Sequence, residues 1–155
     1  MKENIVKAGV SSTLALLNAV FGALTVPVLL MVACNLIDYV TGLAASGYRS
    51  QDINSYKSIR GIVKKVCMWL LVVVGAIVDE LLVYASETAG ITLPITFFVA
   101  CVVAIWIICN ELISILENIK DIGVPIPGFL MPLVKNIKSQ VEEKANTGGD
   151  TTGIE

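Results

Sequence analysis

Apolar residues form three long stretches along this 155-residue chain. The first, 8–37, contains no charged residue. The second, 66–78, is also uncharged, and its apolar pattern resumes after Asp79 and Glu80. The third covers 88–110. A helix needs about 20 predominantly apolar residues to cross a bilayer, so each stretch, with its flanks, predicts a transmembrane helix.

The first stretch is too long for a single span. A helix over 10–46 would measure about 55 Å, against a hydrocarbon core of about 30 Å. We therefore expect a break near 22–27, where Thr25 is a candidate N-cap. The helix before the break contains several polar residues, including Asn18. It either crosses the bilayer or lies against its outer surface.

Two further spans and an amphipathic helix follow. Thr92 is a candidate N-cap for the fourth helix. After a Gly-x-Pro-x-Pro break at 123–127, apolar residues recur at helical spacing with Lys135 and Lys138 between them, which is typical of a helix lying in a membrane interface. The five predicted helices cover about 5–23, 26–46, 60–84, 94–118 and 129–144.

Composition agrees with this pattern. The chain is 55% hydrophobic and 15% charged, whereas about 25% of a soluble domain is charged. The predicted fold class is an all-α membrane protein with three transmembrane helices, an N-terminal hydrophobic helix that is spanning or interfacial, and a C-terminal amphipathic helix. One helical membrane domain is expected over 1–145, and the Gly- and Thr-rich tail, 146–155, is expected to be disordered.

The N-terminus resembles a signal peptide in one respect, because Lys2 and Lys7 precede an apolar region. That region continues to Ile37 without a clear small-residue cleavage pattern. We therefore expect the segment to be retained.

Basic residues are distributed unevenly between the loops. Several cluster in 47–65, whereas 79–92 carries acidic residues and no basic one. The C-terminal segment is again rich in lysine. Since cytoplasmic loops carry the excess of lysine and arginine, we expect 47–65 and the C-terminus in the cytoplasm, with 79–92 outside.

The residue types argue against several classes of function. The chain has no histidine, and its four cysteines lie within apolar stretches without a Cys-x-x-Cys motif. Neither a metal site nor a cofactor is therefore expected. No phosphate-binding loop or nucleophile–base pattern predicts an enzyme. Basic residues are too few and too local for a nucleic-acid surface.

Each predicted span carries small and polar residues along one face. Asp38 is the clearest case, because an ionisable residue within a span costs about 2.5–3.5 kcal/mol. Such faces let helices approach closely and form hydrogen bonds. In one arrangement, these polar faces pack against each other inside one bundle, for instance with Asp38 near Lys64 or Lys65. Alternatively, they contact other copies of the chain and line a water-filled space. The candidate oligomer- or pore-facing residues are Asn35, Asp38, Thr41, Gly42, Ala45, Gly61, Lys65, Gly75, Asp79, Glu111, Ser114 and Asn118.

A second group of residues is expected at the membrane interface or in the turn. Lys64 flanks the third helix on its cytoplasmic side. Glu117 points away from the Glu111 face, and its i,i+3 spacing allows an ion pair with Lys120. The candidate interface and turn residues are Lys64, Glu117, Gly123, Pro125 and Pro127.

A series of short motifs in fixed order covers roughly 30–135. In this order and spacing they resemble the phage lysis and toxin-secretion holin family. The motifs are Asp38-Tyr39-x-Thr41-Gly42-x-Ala44-Ala45, the Ser55/Ser58 loop, Gly61-x-x-Lys64-Lys65, Asp79, Asn110-Glu111-x-x-Ser114-Ile115-x-Glu117-Asn118 and Gly123-x-Pro125-x-Pro127.

The resemblance implies a small phage- or prophage-encoded protein of the bacterial inner (cytoplasmic) membrane. Members of such a family accumulate harmlessly and then homo-oligomerise into lesions. Those lesions release an endolysin or a large toxin as cargo, which is not a bound partner. A regulatory antiholin is a further partner consistent with this resemblance.

Two other functions fit the same residues. A non-conducting, antiholin-like regulator would co-assemble with a holin without permeabilising the membrane. A small ion channel or proton-coupled carrier would use Asp38 and Glu111, although the chain lacks the repeated halves found in many transporters.

Overall fold

The computed structural model describes residues 2–49, 55–92 and 97–147, which are helical apart from short turns and contain no strand. Three helical segments within these ranges, Gly22–Tyr48, Ile59–Thr88 and Phe98–Asp121, are long and apolar enough to cross a membrane. The predicted fold class, an all-α membrane protein, is confirmed. The helices are α1 (Lys2–Phe21), α2 (Thr25–Tyr48), α3 (Ser55–Thr88), α4 (Phe98–Asp121) and α5 (Leu130–Thr147), with a 3-10 turn (Gly22–Leu24) before α2.

The central helix of the fold is α4, which packs against α2, α3 and α5. Its last residue, Asp121, bonds to Arg49, which directly follows α2. The two helices therefore run parallel. The carboxylate of Asp79, late in α3, accepts a hydrogen bond from Ala100, early in α4. The consecutive helices α3 and α4 therefore form an antiparallel hairpin.

Small residues set the distance between α3 and α4. Ala100 and Ala104 of α4 are fully buried. A Cβ added at Gly75 of α3 would lie only 2.9 Å from the Ala100 Cα atom. Close approach of this kind is how helices associate in lipid, where burial of apolar surface gives little driving force.

The outer surface of the bundle is apolar. On α3, Leu70, Val73 and Leu81 are all more than half exposed. The core beneath them is narrow and contains Met31, Val72 and Ile107. A soluble protein would rarely expose so much contiguous apolar surface, and a hydrocarbon environment satisfies it.

The break before α2 lies where the pattern predicted it, but the cap differs. Gly22 adopts a φ of 50° at the start of the 3-10 turn, a conformation that glycine tolerates best. Leu24 occupies the N-cap position without a side-chain hydrogen bond. Thr25 is instead the first helical residue, and its side chain is buried. The prediction of Thr25 as N-cap was wrong.

The third helix is longer than the predicted 60–84, since it begins at Ser55 and ends at Thr88. It ends at Thr88 because the chain turns at Gly90, whose φ is 72°. The Ile91 N–H then donates to the Ser86 carbonyl at 2.8 Å. A left-handed glycine with a bond reaching back to the last turn is a common helix end.

The fourth helix begins at Phe98, later than the predicted 94–118. Its N-cap residue is Phe97, which has a φ of 56°, so the prediction of Thr92 as N-cap was wrong. The proline at 94 lies outside the described residues. The helix ends at Asp121, after which Gly123 adopts a φ of 95°.

The amphipathic helix α5 folds back along α4. Its buried Val134 packs against Cys109 and Leu116. The structure docks this helix on the bundle, and its position at a membrane interface stays a prediction. The helix also continues to Thr147, into the segment expected to be a disordered tail; positions 148–155 of that tail lie outside the described residues.

Candidate functional site

A charged triad joins the three long helices. The Lys65 Nζ atom on α3 donates to the Asp38 Oδ2 atom on α2 at 2.9 Å. It also donates to the Glu111 Oε2 atom on α4. Glu111 is 4% exposed, and the Lys65 side chain is 22% exposed. One ammonium group therefore holds two carboxylates from two other helices.

An amide extends the triad along α4. The Asn118 Nδ2 atom donates to the Asp38 Oδ1 atom at 3.1 Å and to the Thr41 hydroxyl at 3.3 Å. Its Oδ1 atom accepts a hydrogen bond from the Arg49 Nη2 atom at 3.1 Å. Both ends of this buried amide are satisfied, as buried polar groups require. We call Asp38, Thr41, Lys65, Glu111 and Asn118 the polar cluster.

An ion pair closes the same end of the bundle. The Arg49 Nε atom donates to the Asp121 Oδ2 atom at 2.6 Å. A continuous series of polar contacts thus runs from Glu111 through Asp38 and Asn118 to the exposed ends of α2 and α4. Glu111, the most buried member of the series, lies far from that end.

The polar cluster adjoins a cavity of about 400 Å³ between α2, α3 and α4. Asp38, Lys65 and Glu111 line it, together with Lys64 and Ser114. Gly61 also contributes to its wall. The cavity therefore places hydrophilic groups beside the apolar outer surface of the bundle.

The energetics of the triad depend on its remaining complete. Removing one partner of a buried ion pair typically costs about 3–5 kcal/mol, because the other charge stays buried without compensation. Here Lys65 is the partner of both Asp38 and Glu111. Separating α3 from α2 and α4 would therefore expose or strand three charges together.

A second polar site lies toward the other end of the hairpin. The two carboxylate oxygens of Asp79 accept the backbone N–H groups of Val99 and Ala100, each at 2.9 Å. These are N–H groups of the first turn of α4, which have no partner within their own helix. Asp79 is 5% exposed. It caps α4 from the neighbouring helix and complements the positive end of the helix dipole.

A third set of contacts joins α5 to α4. The indole N–H of Trp106 donates to the Glu142 Oε1 atom at 2.8 Å. The Lys138 Nζ atom lies 5.4 Å from the centre of the Trp106 ring and 3.7 Å from the Glu142 Oε1 atom. These contacts supplement the apolar packing of Val134 and fix the position of α5 along α4.

A model of the bacteriophage holin family matches residues 15–139. The chain belongs to this family. A probable holin of Bacillus phage phi105 is 27% identical over 124 residues, covering 80% of this chain and 83% of the phage protein.

Relatives of this holin-family chain also occur in bacterial genomes. An uncharacterised protein of Listeria innocua is 33% identical over 144 residues, covering 92% of this chain and 94% of the relative. An uncharacterised 14.9 kDa protein of Clostridium perfringens, from the region 3′ of nagH, is 31% identical over 137 residues, covering 88% and 96%. No solved structure matches the chain with significance.

The holin-family fold brings some of the candidate site residues together and separates others. Five of them form the polar cluster, and Gly61, Lys64 and Ser114 lie beside it at the cavity. Gly75 and Asp79 belong instead to the contact between α3 and the start of α4.

The remaining α2 candidates serve the packing of that helix. A Cβ at Gly42 would meet the Asn118 side chain at 3.5 Å, and Ala45 is fully buried. The Asn35 Nδ2 atom donates to the Met31 carbonyl at 2.7 Å within α2. Its Oδ1 atom is buried and has no partner among the described residues.

The interface and turn candidates lie toward the surface. Glu117 and Lys120 are exposed, and no ion pair joins them in the part of the chain that the structure describes. Gly123 makes the left-handed turn after α4, and Pro125 and Pro127 follow in the exposed linker to α5.

The sequence did not predict the side-chain contacts between α4 and residues far away in the chain. Arg49 and Asp121 are 72 positions apart, and no local pattern links them. Trp106 lies in an apolar stretch, and the sequence alone does not indicate its contact with α5. The i,i+4 spacing of Lys138 and Glu142 does indicate their ion pair.

Proposed function

We propose that this protein is a holin that homo-oligomerises in the bacterial cytoplasmic membrane and opens lesions for an endolysin or toxin. The observation that carries the proposal is the charged triad shared by the three helices suited to cross the membrane. Family membership supports the same function. The released cargo passes the lesion and is not a bound partner.

The triad supplies a reason for harmless accumulation. In one copy, Lys65 satisfies both Asp38 and Glu111, so the charges are compensated inside the bundle. The apolar outer surface then contacts lipid. A single chain can therefore reside in the membrane without exposing the charges of its triad to hydrocarbon.

The same residues supply a reason for lesion formation. Crowding of many copies lets Lys65 of one copy pair with a carboxylate of the next, which exchanges contacts within a bundle for contacts between bundles. Charges that leave the interior must meet water, because hydrocarbon disfavours them strongly. Re-pairing therefore couples assembly to the entry of water beside the existing cavity.

The proposed orientation follows the charge distribution. Arg49 follows α2 and bonds to Asp121 at the end of α4, and Arg60 lies early in α3. Cytoplasmic loops carry the excess of basic residues. We therefore propose that this end, and with it the segment leading to α5, lies in the cytoplasm.

The test is inducible expression in a bacterium together with a cell-wall hydrolase that lacks its own export signal. A holin causes abrupt loss of membrane potential and release of the hydrolase. Continued growth at high membrane abundance would overturn the proposal. If this protein delays the lysis that a co-expressed holin causes, it is an antiholin-like regulator. Small ion-selective currents would instead indicate a channel or carrier.

A matched pair of variants connects the activity to the triad. Glu111→Gln removes a buried charge that Lys65 pairs with, and Glu117→Gln removes an exposed charge six positions away on the same helix. We expect Glu111→Gln to shift the time at which the potential collapses, at equal abundance in the membrane. We expect Glu117→Gln to keep the timing of the unmodified protein.

A further inference from the structure

The position of α5 along α4 is fixed by contacts at three levels. Val134 packs against Cys109. More than two turns further along α5, Glu142 accepts a hydrogen bond from Trp106. Near the end of the helix, Ala145 lines the same 370 Å³ cavity as Val99. The C-terminal half of α5 therefore lies beside the 99–109 stretch of α4.

That stretch belongs to the apolar part of the bundle. Residues 99–109 of α4 contain no charged residue, and neither do residues 66–78 of α3. Val74 and Val78 of α3 line the cavity beside α5. If α4 crosses the membrane, this level of the bundle lies within the hydrocarbon.

The docked part of α5 is strongly polar at this depth. Lys138 and Glu142 approach each other and Trp106 on the side toward α4. The outer side carries Ser139 and Gln140, which are exposed. A helix with such a face is poorly covered by lipid, because polar side chains in hydrocarbon are costly and need water or a partner.

We propose that α5 lines the lumen of the assembled lesion: it docks on α4 within the membrane and turns its polar outer face toward water. This inference rests on the proposed function and names the segment that forms the wet wall. Without a lumen, the same helix is stable at the membrane surface, where its amphipathic pattern is typical of interfacial helices. Docking of α5 is then coupled to the entry of water.

A cross-link between α4 and α5 tests the docked state, with native Cys109 as one end. The protein for this test has Cys34, Cys67 and Cys101 replaced by alanine. Val134→Cys then adds a second thiol to the apolar cluster that contains Cys109. Ile137→Cys is the matched control, because that side chain is 42% exposed and does not belong to the Cys109 cluster.

Membranes are oxidised before and after the collapse of the potential, and linked peptides are identified by mass spectrometry. We expect the Val134→Cys link to increase sharply after the collapse, with little link for Ile137→Cys. We also expect the oxidised Val134→Cys protein to permeabilise vesicles at least as well as its reduced form. No rise in the link, or leakage that falls on oxidation and returns with a reductant, would overturn the lumen role.

Currents through lesions in planar bilayers give a second readout. Ser139→Cys in the cysteine-free protein should allow a charged thiol reagent to change the current, whereas Val134→Cys should be protected by its packing against α4. Lesions without this difference would refute the role of α5 and leave the holin proposal standing. Absence of any lesion from the reduced proteins and from the unmodified chain would refute the holin proposal itself.

Discussion

The carboxylate of Asp79 on α3 accepts the backbone N–H of Ala100 on α4 at 2.9 Å. The same side chain accepts the Val99 N–H, so one residue satisfies two N–H groups at the start of α4. Within hydrocarbon no water replaces such a cap, and an unsatisfied backbone group costs several kcal/mol. Asp79 therefore serves the integrity of the α3–α4 hairpin.

Asp79→Ala should destabilise the hairpin by about 1–2 kcal/mol, the usual effect of losing a side-chain cap. Unfolding in detergent, followed by circular dichroism, measures the change. Glu80→Ala is the control, because Glu80 is exposed and next to Asp79 in sequence. Equal stability of the two variants would show that the cap contributes nothing measurable.

Gly75→Ala should push α3 away from α4, because its Cβ would meet the Ala100 backbone at 2.9 Å. A rigid backbone contact cannot yield as a side chain can, so we expect a loss of about 1–3 kcal/mol. Gly61→Ala, also within α3, meets nothing within 4 Å. It should be neutral or stabilising by up to about 1 kcal/mol, because glycine is a poor helix former. The same detergent unfolding distinguishes them, and a Gly75→Ala protein as stable as Gly61→Ala would contradict the close approach.

Lys65→Met should destabilise the bundle by about 3–5 kcal/mol, since two carboxylates lose their common partner. Adding Asp38→Asn and Glu111→Gln to the same chain should restore most of the loss, because no uncompensated charge remains. Thermal unfolding in detergent micelles measures both. A triple variant no more stable than Lys65→Met would mean that the loss comes from packing and not from charge.

Trp106→Phe should loosen α5 while leaving the long helices intact. The substitution keeps an aromatic ring for Lys138 but removes the N–H that Glu142 accepts, a hydrogen bond worth about 1.5–3 kcal/mol to a charged group. Amide hydrogen exchange in α5 should accelerate accordingly. Trp69→Phe on α3, where the ring is 42% exposed, should leave α5 unchanged.

The approximate positions of the helices could be predicted from local residue patterns. Apolar length predicted the spans, and the glycine and proline positions predicted breaks near Gly22 and Gly123. Helix ends were less accurate. The α4 start shows why: its first N–H groups are capped by Asp79, 20 positions earlier in the chain, and no local cap at Thr92 is needed.

The sequence predicted which helix faces carry the candidate site, but it did not predict which side chains contact each other. Helical periodicity placed Asp38, Lys65 and Glu111 among the residues expected to avoid lipid. It left open whether Lys64 or Lys65 would meet Asp38, because one residue rotates a helical position by about 100°. The packing of three helices at one level chose Lys65 and added Glu111 to the same contact.

By itself the sequence determined the environment of this protein, because the length of an apolar run and the period of an amphipathic helix are properties of neighbouring residues. Tertiary structure alone decided three relationships: the two carboxylates on Lys65, the cap that Asp79 provides to α4, and the docking of α5 through Trp106 and Glu142. Each depends on the axial shift and rotation of one helix against another. Those quantities arise from the packing of side chains distant in sequence, so no local pattern contains them.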